Sequence, residues 1–321
     1  MSLHDVATRS GRRSRTVDVV VLGEPLVEFS SERPLNDAEL FRLSFSGDAL
    51  NASVAAAAQG ARVALVTRVG DDEFGERLIR FAAGRGVDTG WMIRGGGPTG
   101  AYAVGADPSG ERAFSYLRQG SAATRLSPAD VDRSPVASAK VVLLSGIAAA
   151  ISESCAQAVR HAARLASGRV VYDPNFRARL TTPAQAAQVL RDIAPHTALV
   201  KISSPGDSTA LLGVADPEKT ARACLDLGAP AVAVTMGEDG VLLAGREAAP
   251  VLVPARTAPT IVDQTGAGDN FAGALAAWLA RGESLPAAVA AGTAAAAVSL
   301  AGQGGTGRVA TPEDVERLLA G

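Results

Sequence analysis

The chain has 321 residues, 47% hydrophobic and 20% charged, which is enough apolar surface for one large core or two ordinary ones and too much for a disordered chain. A formal net charge of −2 leaves no basic footprint for nucleic acid. None of the three lysines (Lys140, Lys201, Lys219) follows a glycine, so a Walker-A phosphate loop is excluded, and any bound phosphate must be held by arginine and backbone N–H groups.

In chain order, residues 1–16 are polar and Arg-rich and read as a disordered tail. A buried strand over 17–22 ends at Gly23, and 24–30 continue extended. The stretch 31–44 is mixed and polar. A helix over 49–59 closes on Gly60, a strand covers 62–69, and a helix over 73–85 closes on Gly86. This alternation predicts a parallel sheet covered on both faces. Over 91–119 the pattern changes to short alternating segments, split by Gly95-Gly96-Gly97-Pro98 and by the turn signal Asp107-Pro108-Ser109-Gly110. They read as a small antiparallel lid sheet. The rhythm then resumes with strands at 141–144, 170–172, 198–200 and 231–234. Helices are expected at 152–166, 183–193, 207–212 and 217–227, then a hairpin at 240–254 and helices at 269–281, 286–300 and 312–320. The expected organisation is a core from 17–30, 45–90 and 120–321, with a lid from 31–44 and 91–119.

Cys155 and Cys224 lie far apart in helix-like segments and read as buried thiols of a reducing compartment. His4, His161 and His196 show no metal-ligand spacing. No apolar run reaches the roughly 20 residues of a membrane span. A soluble, cytoplasmic protein with no nucleic-acid or membrane partner is expected.

The chemistry concentrates in Asp263-Gln264-Thr265-Gly266-Ala267-Gly268-Asp269, which follows the apolar Thr260-Ile261-Val262 and opens a helical run. Glycines at a helix start let the chain turn, and the open N–H groups of the first turn, with the helix dipole, attract an anion such as phosphate. Asp269 is then a carboxylate beside a phosphate site, which suits phosphoryl transfer. Taken alone, the stretch also fits an ordinary helix cap. In Phe45-Ser46-Gly47-Asp48-Ala49-Leu50-Asn51, Asp48 fits an N-cap, or, with Asn51, a polar pocket edge that Gly47 opens to close approach. Asp173-Pro174-Asn175-Phe176-Arg177 and Thr235-Met236-Gly237-Glu238-Asp239-Gly240 each follow a strand, where open parallel sheets bind ligands. The glycine runs at 95–100 and 302–307 lack the strand before and helix after that a dinucleotide site needs, and read as decoys.

Two regions resemble the signatures of the ribokinase-like (PfkB) carbohydrate kinases. One carries Gly47, Ala49, Asn51, Ser53, Gly60 and Gly70; the other carries Asp263, Gly266, Ala267, Gly268, Asp269, Gly273 and Ala274. Ser46 and Gln264 depart from the family pattern. The resemblance implies a three-layer αβα core with a mostly parallel sheet, a β lid, and an ATP-dependent sugar kinase. Asp269 would be the base, and the N–H groups of Gly266, Ala267 and Gly268 the anion hole. Thr235, Gly237 and Gly240 would line the ATP phosphates, and Ala294 and Ala297 would flank adenine. Ser204 and Asp207 stand where the family has Asn and Glu near magnesium, so Asp207 would meet Mg2+ through water. Asp263 and Thr265 would contribute to a monovalent cation (K+) site. Members often dimerise through the lid, which makes a homodimer an expectation.

Within the family, Gly23–Glu28, Ser46–Asn51, Tyr116–Ala123, Leu144–Ile147 and Asp173–Arg177 resemble 2-keto-3-deoxygluconate kinases. Substrate contacts would then come from Glu28, Gly47, Asp48, Asn51, Tyr102, Tyr116, Arg118, Asn175, Arg177 and Asp269. Arg118 and Arg177 would suit a sugar-acid carboxylate, which a guanidinium binds bidentately. The alternatives are a fructokinase or another sugar kinase of the family, a non-catalytic sugar- or nucleotide-binding member of the fold, and a dinucleotide-dependent dehydrogenase, which the misplaced glycine runs weaken.

Overall fold

The structure is a computed structural model, and it describes residues 17–105, 113–258 and 260–320. The tail 1–16 and the turn expected at 107–110 lie outside the described residues. The strands in chain order are β1 (Val19–Leu22), β2 (Leu26–Ser31), β3 (Arg42–Ser46), β4 (Val63–Val69), β5 (Val87–Asp88), β6 (Met92–Arg94) and β7 (Ala101–Gly105). They continue with β8 (Ala113–Leu117), β9 (Val141–Ser145), β10 (Arg169–Asp173), β11 (Leu199–Ser203), β12 (Ala231–Thr235), β13 (Val241–Gly245) and β14 (Val251–Val253).

The main sheet runs β14-β13-β12-β11-β10-β9-β1-β4-β5, with β6 also on β4. It is parallel from β12 through β4 to β5 and β6, and antiparallel only where β13 and β14 return as a hairpin. Strict alternation along each strand sends residues to opposite faces. Val19, Val21, Val141, Leu143, Val171 and Leu199 pack under the helices Asp48–Ala58, Ala267–Arg281 and Leu285–Ser299. Val20, Leu22, Val142, Leu144, Tyr172, Val200 and Ile202 pack on the opposite face with the helices Glu153–Leu165, Pro183–Ile193 and Pro217–Asp226. Both faces are dry, which explains the continuous apolar runs read as buried strands. No helix among the described residues is long and apolar enough to cross a membrane.

The lid differs in detail from the expectation. It is the four-stranded sheet β3-β2-β7-β8. Its first strand therefore starts at Leu26, inside the segment expected for the core. The segment at Met92–Arg94 joins the main sheet through Thr67–Val69 instead of the lid. The β2–β7 pair is parallel, and only β2–β3 and β7–β8 are antiparallel. Thr260-Ile261-Val262 is not a strand: Val262 N–H donates to the Leu300 carbonyl at 2.7 Å, and Ile261 and Val262 stay exposed.

The helices Ala267–Arg281 and Asp48–Ala58 approach so closely that a Cβ on Gly273 would strike the Ala52 carbonyl and come within 2.8 Å of Ala55 Cβ. Gly273→Ala is therefore expected to destabilise the protein by about 1–3 kcal/mol in urea denaturation. Gly84→Ala, at a helix end with open space around the added carbon, should cost nothing or stabilise slightly.

Candidate active site

The C-terminal ends of β1, β9, β10, β11 and β12 lie side by side and are followed by Gly23-Glu24, Ser145-Gly146, Asp173-Pro174, Ser203-Ser204 and Thr235-Met236. Two helices start above this edge. Asp48–Ala58 begins after Gly47, and Ala267–Arg281 begins after Gly266, whose φ of 78° suits glycine. Asp48, Asp173, Asn175, Ser145 and Asp269 line one small cavity there. The structure thus brings together residues from four of the stretches singled out in the sequence.

Asp269 is the centre of this group. Asn51 Nδ2 donates to its Oδ2 at 2.8 Å, and Asn175 Nδ2 lies 3.5 Å from its Oδ1. Asn175 holds φ at +40°, a left-handed conformation that asparagine tolerates better than most residues. Its own N–H donates to Asp173 Oδ1 at 3.2 Å, and Phe176 N–H to Asp207 Oδ1 at 2.8 Å, so two carboxylates fix the bend. Burial pushes the Asp269 carboxyl up to about 6, the nearby charge of Asp48 adds to this, and Asn51, Lys201 and Arg177 act against it. Asp48 is itself raised by burial, although Ser145 and the Ala49 N–H bond to it. Its Oδ2 is buried with no protein donor among the described residues, which leaves an acceptor facing the cavity.

Beneath this pair, Lys201 Nζ donates to Asp173 Oδ2 at 2.7 Å, both side chains being almost fully buried. Burial raises the Asp173 carboxyl to about 6 even so, helped by Asp207 and Asp269.

The lid contributes a different set. Tyr102 O–H donates to Glu28 Oε2, and Ser44 Oγ to Glu28 Oε1 at 2.9 Å, so these two expected substrate contacts bind each other. Tyr116 is 39% exposed, with the ring of Phe114 stacked on it and the Arg118 guanidinium 5.6 Å from its centroid. Arg118 is buried and ion-paired with Glu24, which also accepts from Ser121 Oγ at 2.9 Å. Burial lifts the Glu24 carboxyl to about 7, against the pull of Arg118. Arg177, in contrast, is exposed; it donates to the Phe176 carbonyl and still acts on both Asp48 and Asp269. A Cβ on Gly47 would come within 2.5 Å of the Glu24 carbonyl, so this glycine serves the crossing of two backbones.

On the other side of Asp269, Gly268 is exposed at the helix start, while Ala267 N–H closes a turn to the Gln264 carbonyl at 3.3 Å. Gly237 has open space around it, and Thr235 is half-buried beside it. Other expected nucleotide contacts are engaged within the fold. Ser204 Oγ donates to the Ala215 carbonyl at 2.7 Å. Gly240 is closed against the backbone of Val253 and Ala255. Ala294 and Ala297 are 0% and 4% exposed, and Ala294 packs with Ala274 and Val315.

Asp207 accepts from Phe176 N–H, from Ser203 N–H at 3.1 Å and from Ser203 Oγ at 2.7 Å. Its carboxylate is thus engaged as a cap, and no group of three or more His, Cys, Asp or Glu among the described residues could cage a metal. That donor set fits an ion held mostly by water and phosphate oxygens, as Mg2+ ordinarily is. Asp263 takes Thr265 N–H at 2.9 Å on one oxygen, and Gly304 N–H at 2.8 Å and Gln303 Nε2 at 3.0 Å on the other. The glycine run 302–307, expected not to be a dinucleotide site, therefore packs beside Asp263. Gly305 lies against the Asn51 amide so closely that no Cβ fits, and its carbonyl accepts from Asn270 Nδ2 at 2.9 Å. Lys201, Glu24, Asn270 and this loop are the site residues that sequence reasoning left unassigned.

The pfkB family carbohydrate kinase model matches residues 17–312. The 2-dehydro-3-deoxygluconokinase of Thermoproteus tenax is 33% identical over 309 residues, covering 94% of each chain. Among solved structures, a PfkB protein from Polaromonas sp. JS666 superposes with a TM-score of 0.82 at 28% identity, over 94% of this chain and 99% of that one. An E. coli protein of the same fold, crystallised with ATP and Mg2+, has a TM-score of 0.85 at 23% identity, over 95% and 99%. With a family match spanning nearly the whole described chain, the chain belongs to the pfkB family of carbohydrate kinases.

Proposed function

We propose that the protein transfers the γ-phosphoryl group of ATP to the terminal hydroxyl of 2-keto-3-deoxygluconate or a close analogue. The observation that carries the reading is Asp269, a carboxylate raised towards neutrality and set by Asn51 beside the N-terminus of a helix. The Thermoproteus tenax relative carries a matching name, and the E. coli neighbour supports ATP with Mg2+.

In this mechanism Asp48 Oδ2 and Asn175 hold substrate hydroxyls near Asp269. As the reacting oxygen attacks, its proton passes to Asp269, the new O–P bond forms, the γ-phosphorus separates from the bridging oxygen, and ADP leaves. The first-turn N–H groups, above all that of exposed Gly268, face the charge that builds on the transferred group. Mg2+ would neutralise the β- and γ-phosphates, with Asp207 reaching it through water. Thr235 and Gly237 would border the phosphates. A monovalent cation near Asp263 and Thr265, and a dimer through the exposed Tyr116 and Leu117 of the lid, belong to the same reading. The carboxylate of the sugar acid is assigned to Arg177, because Arg118 already neutralises Glu24.

Three outcomes test this. Asp269→Asn should lower kcat by about a hundred- to ten-thousandfold with ATP affinity retained; near-normal turnover would remove Asp269 as the base. Since the base must be ionised to take a proton, kcat of the intact enzyme should fall as pH drops through about 6. In an ATP-consumption panel of sugars and sugar acids, the keto-deoxy acid should be preferred. Arg177→Met should raise its KM by about tenfold or more while barely changing that of neutral hexoses such as fructose. A preference for fructose in the unaltered enzyme would assign the site to a fructokinase.

A further inference from the structure

We infer that Lys201 is a positioning residue for catalysis: its buried ammonium sits behind the anion hole and holds Asp269 in the ionised form that the reaction needs. This rests on the reading of Asp269 as the base. The placement follows from the sheet. On β11, Val200 and Ile202 face one core, and Leu199 faces the other. The pleat therefore turns Lys201 toward the helix Ala267–Arg281, as β10 turns Asp173, and the register sets the two side chains next to each other. The ammonium contacts Asp173 on one side. On the other, a Cβ on Gly268 would lie 3.2 Å from Nζ, so the charge touches the backbone immediately before Asp269.

A lysine 5% exposed in a central strand is costly unless something uses it. An ammonium has three donors, and Asp173 takes one of them. A pair serving stability alone has no need to stand at the start of the catalytic helix, where the helix dipole already opposes a cation. There it adds positive charge where the transferred phosphoryl group is held. The charged groups around Asp269 are Asp48 on the facing helix, Asp173 on β10, Arg177 in the loop after it, Lys201 on β11, and Asp207 beyond the Asp173–Lys201 pair. Asp48 and burial push Asp269 toward the neutral form; Lys201 and Arg177 oppose them. Lys201 is the buried member of these two cations, so its effect is screened least. Burial alone would favour a neutral amine, but Asp173, Asp207 and Asp269 together hold the ammonium charged.

The test is the pH dependence of kcat and KM for Lys201→Met, Lys201→Arg, Lys201→Met/Asp173→Asn and Asp269→Asn, with ATP and 2-keto-3-deoxygluconate. For Lys201→Met, the acidic limb of kcat should move up by about one pH unit, so that kcat falls about tenfold below the limb and about twofold near neutrality, with KM for the sugar acid changed less than about threefold. Lys201→Arg should leave the limb in place. The double variant removes the buried pair as a unit, so it supplies the reading if the single variant does not fold; its limb should also move up, by less. A limb at its original pH in Lys201→Met, or in the double variant where only that folds, overturns the inference, whether turnover is lost or kept. Asp269→Asn separates the two claims. If it stays active, the base assignment fails; if it is inactive while the Lys201 limb is unmoved, only the role of Lys201 fails.

Discussion

The contact between the helices Ala267–Arg281 and Asp48–Ala58 sets the geometry of the site. Gly273 lets the two backbones close on each other, and one turn away the same contact brings Asn51 to 2.8 Å from Asp269. Interiors packed at crystal-like density transmit such a constraint without slack. The loop 302–307 is held by the same two residues' surroundings: Gly305 rests on the Asn51 amide, and Asn270 ties Gly266 to Gly305. The helix start, the loop and the facing helix thus form one rigid body around the carboxylate.

That body stands above the ends of five parallel strands, and the pleat decides which strand ends take part. Asp173 and Lys201 point up into the site because their neighbours Tyr172, Val200 and Ile202 are needed on the opposite face. A cluster of carboxylates results. Burial raises Asp48, Asp173 and Asp269, the charge of Asp48 adds to the rise of Asp269, and that of Asp269 to the rise of Asp173. Asp269 therefore gains proton affinity without a histidine, while Lys201 and Arg177 oppose its neutralisation, as the proposed role of base would require. Asp207 belongs to the same cluster, but its oxygens are committed to Phe176 and Ser203, where they hold the bend that aims Asn175.

Much of this was legible in the chain. The helices and core strands follow from periodicity and from the glycines that close them, and the stretch Asp263–Asp269 carries its own chemistry. The rest depends on neighbours that periodicity does not reveal. The segment at Met92–Arg94 reads like a lid strand because alternation says nothing of which sheet a strand joins. Glycines 302–307 looked idle when judged by flanking elements, yet Gly305 is fixed by a side chain more than 250 positions earlier. Ala294 packs with Ala274 and Val315, a contact that periodicity does not reveal. Lys201 is the one charged residue in a mostly apolar strand, a pattern that fits an edge position as well as a buried ion pair.

The ion pair of Glu24 and Arg118 completes the argument from the lid side. Glu24 follows β1, an inner strand of the core sheet between β9 and β4, and Arg118 follows β8, the outer strand of the lid. A buried pair contributes little net stability, since desolvation offsets the attraction, but either partner alone would be an uncompensated charge. The pair therefore fixes where the lid joins the core more than how firmly the protein is folded. It also withdraws Arg118 from the role of a free cation. Under the proposed function, a sugar-acid carboxylate entering between lid and core would meet Arg177, exposed beside Asp48 and Asp269, and its negative charge there would weaken Arg177's hold on Asp269. Substrate binding would then raise the proton affinity of the base as the hydroxyl arrives, leaving buried Lys201 as the cation that sets its ionisation.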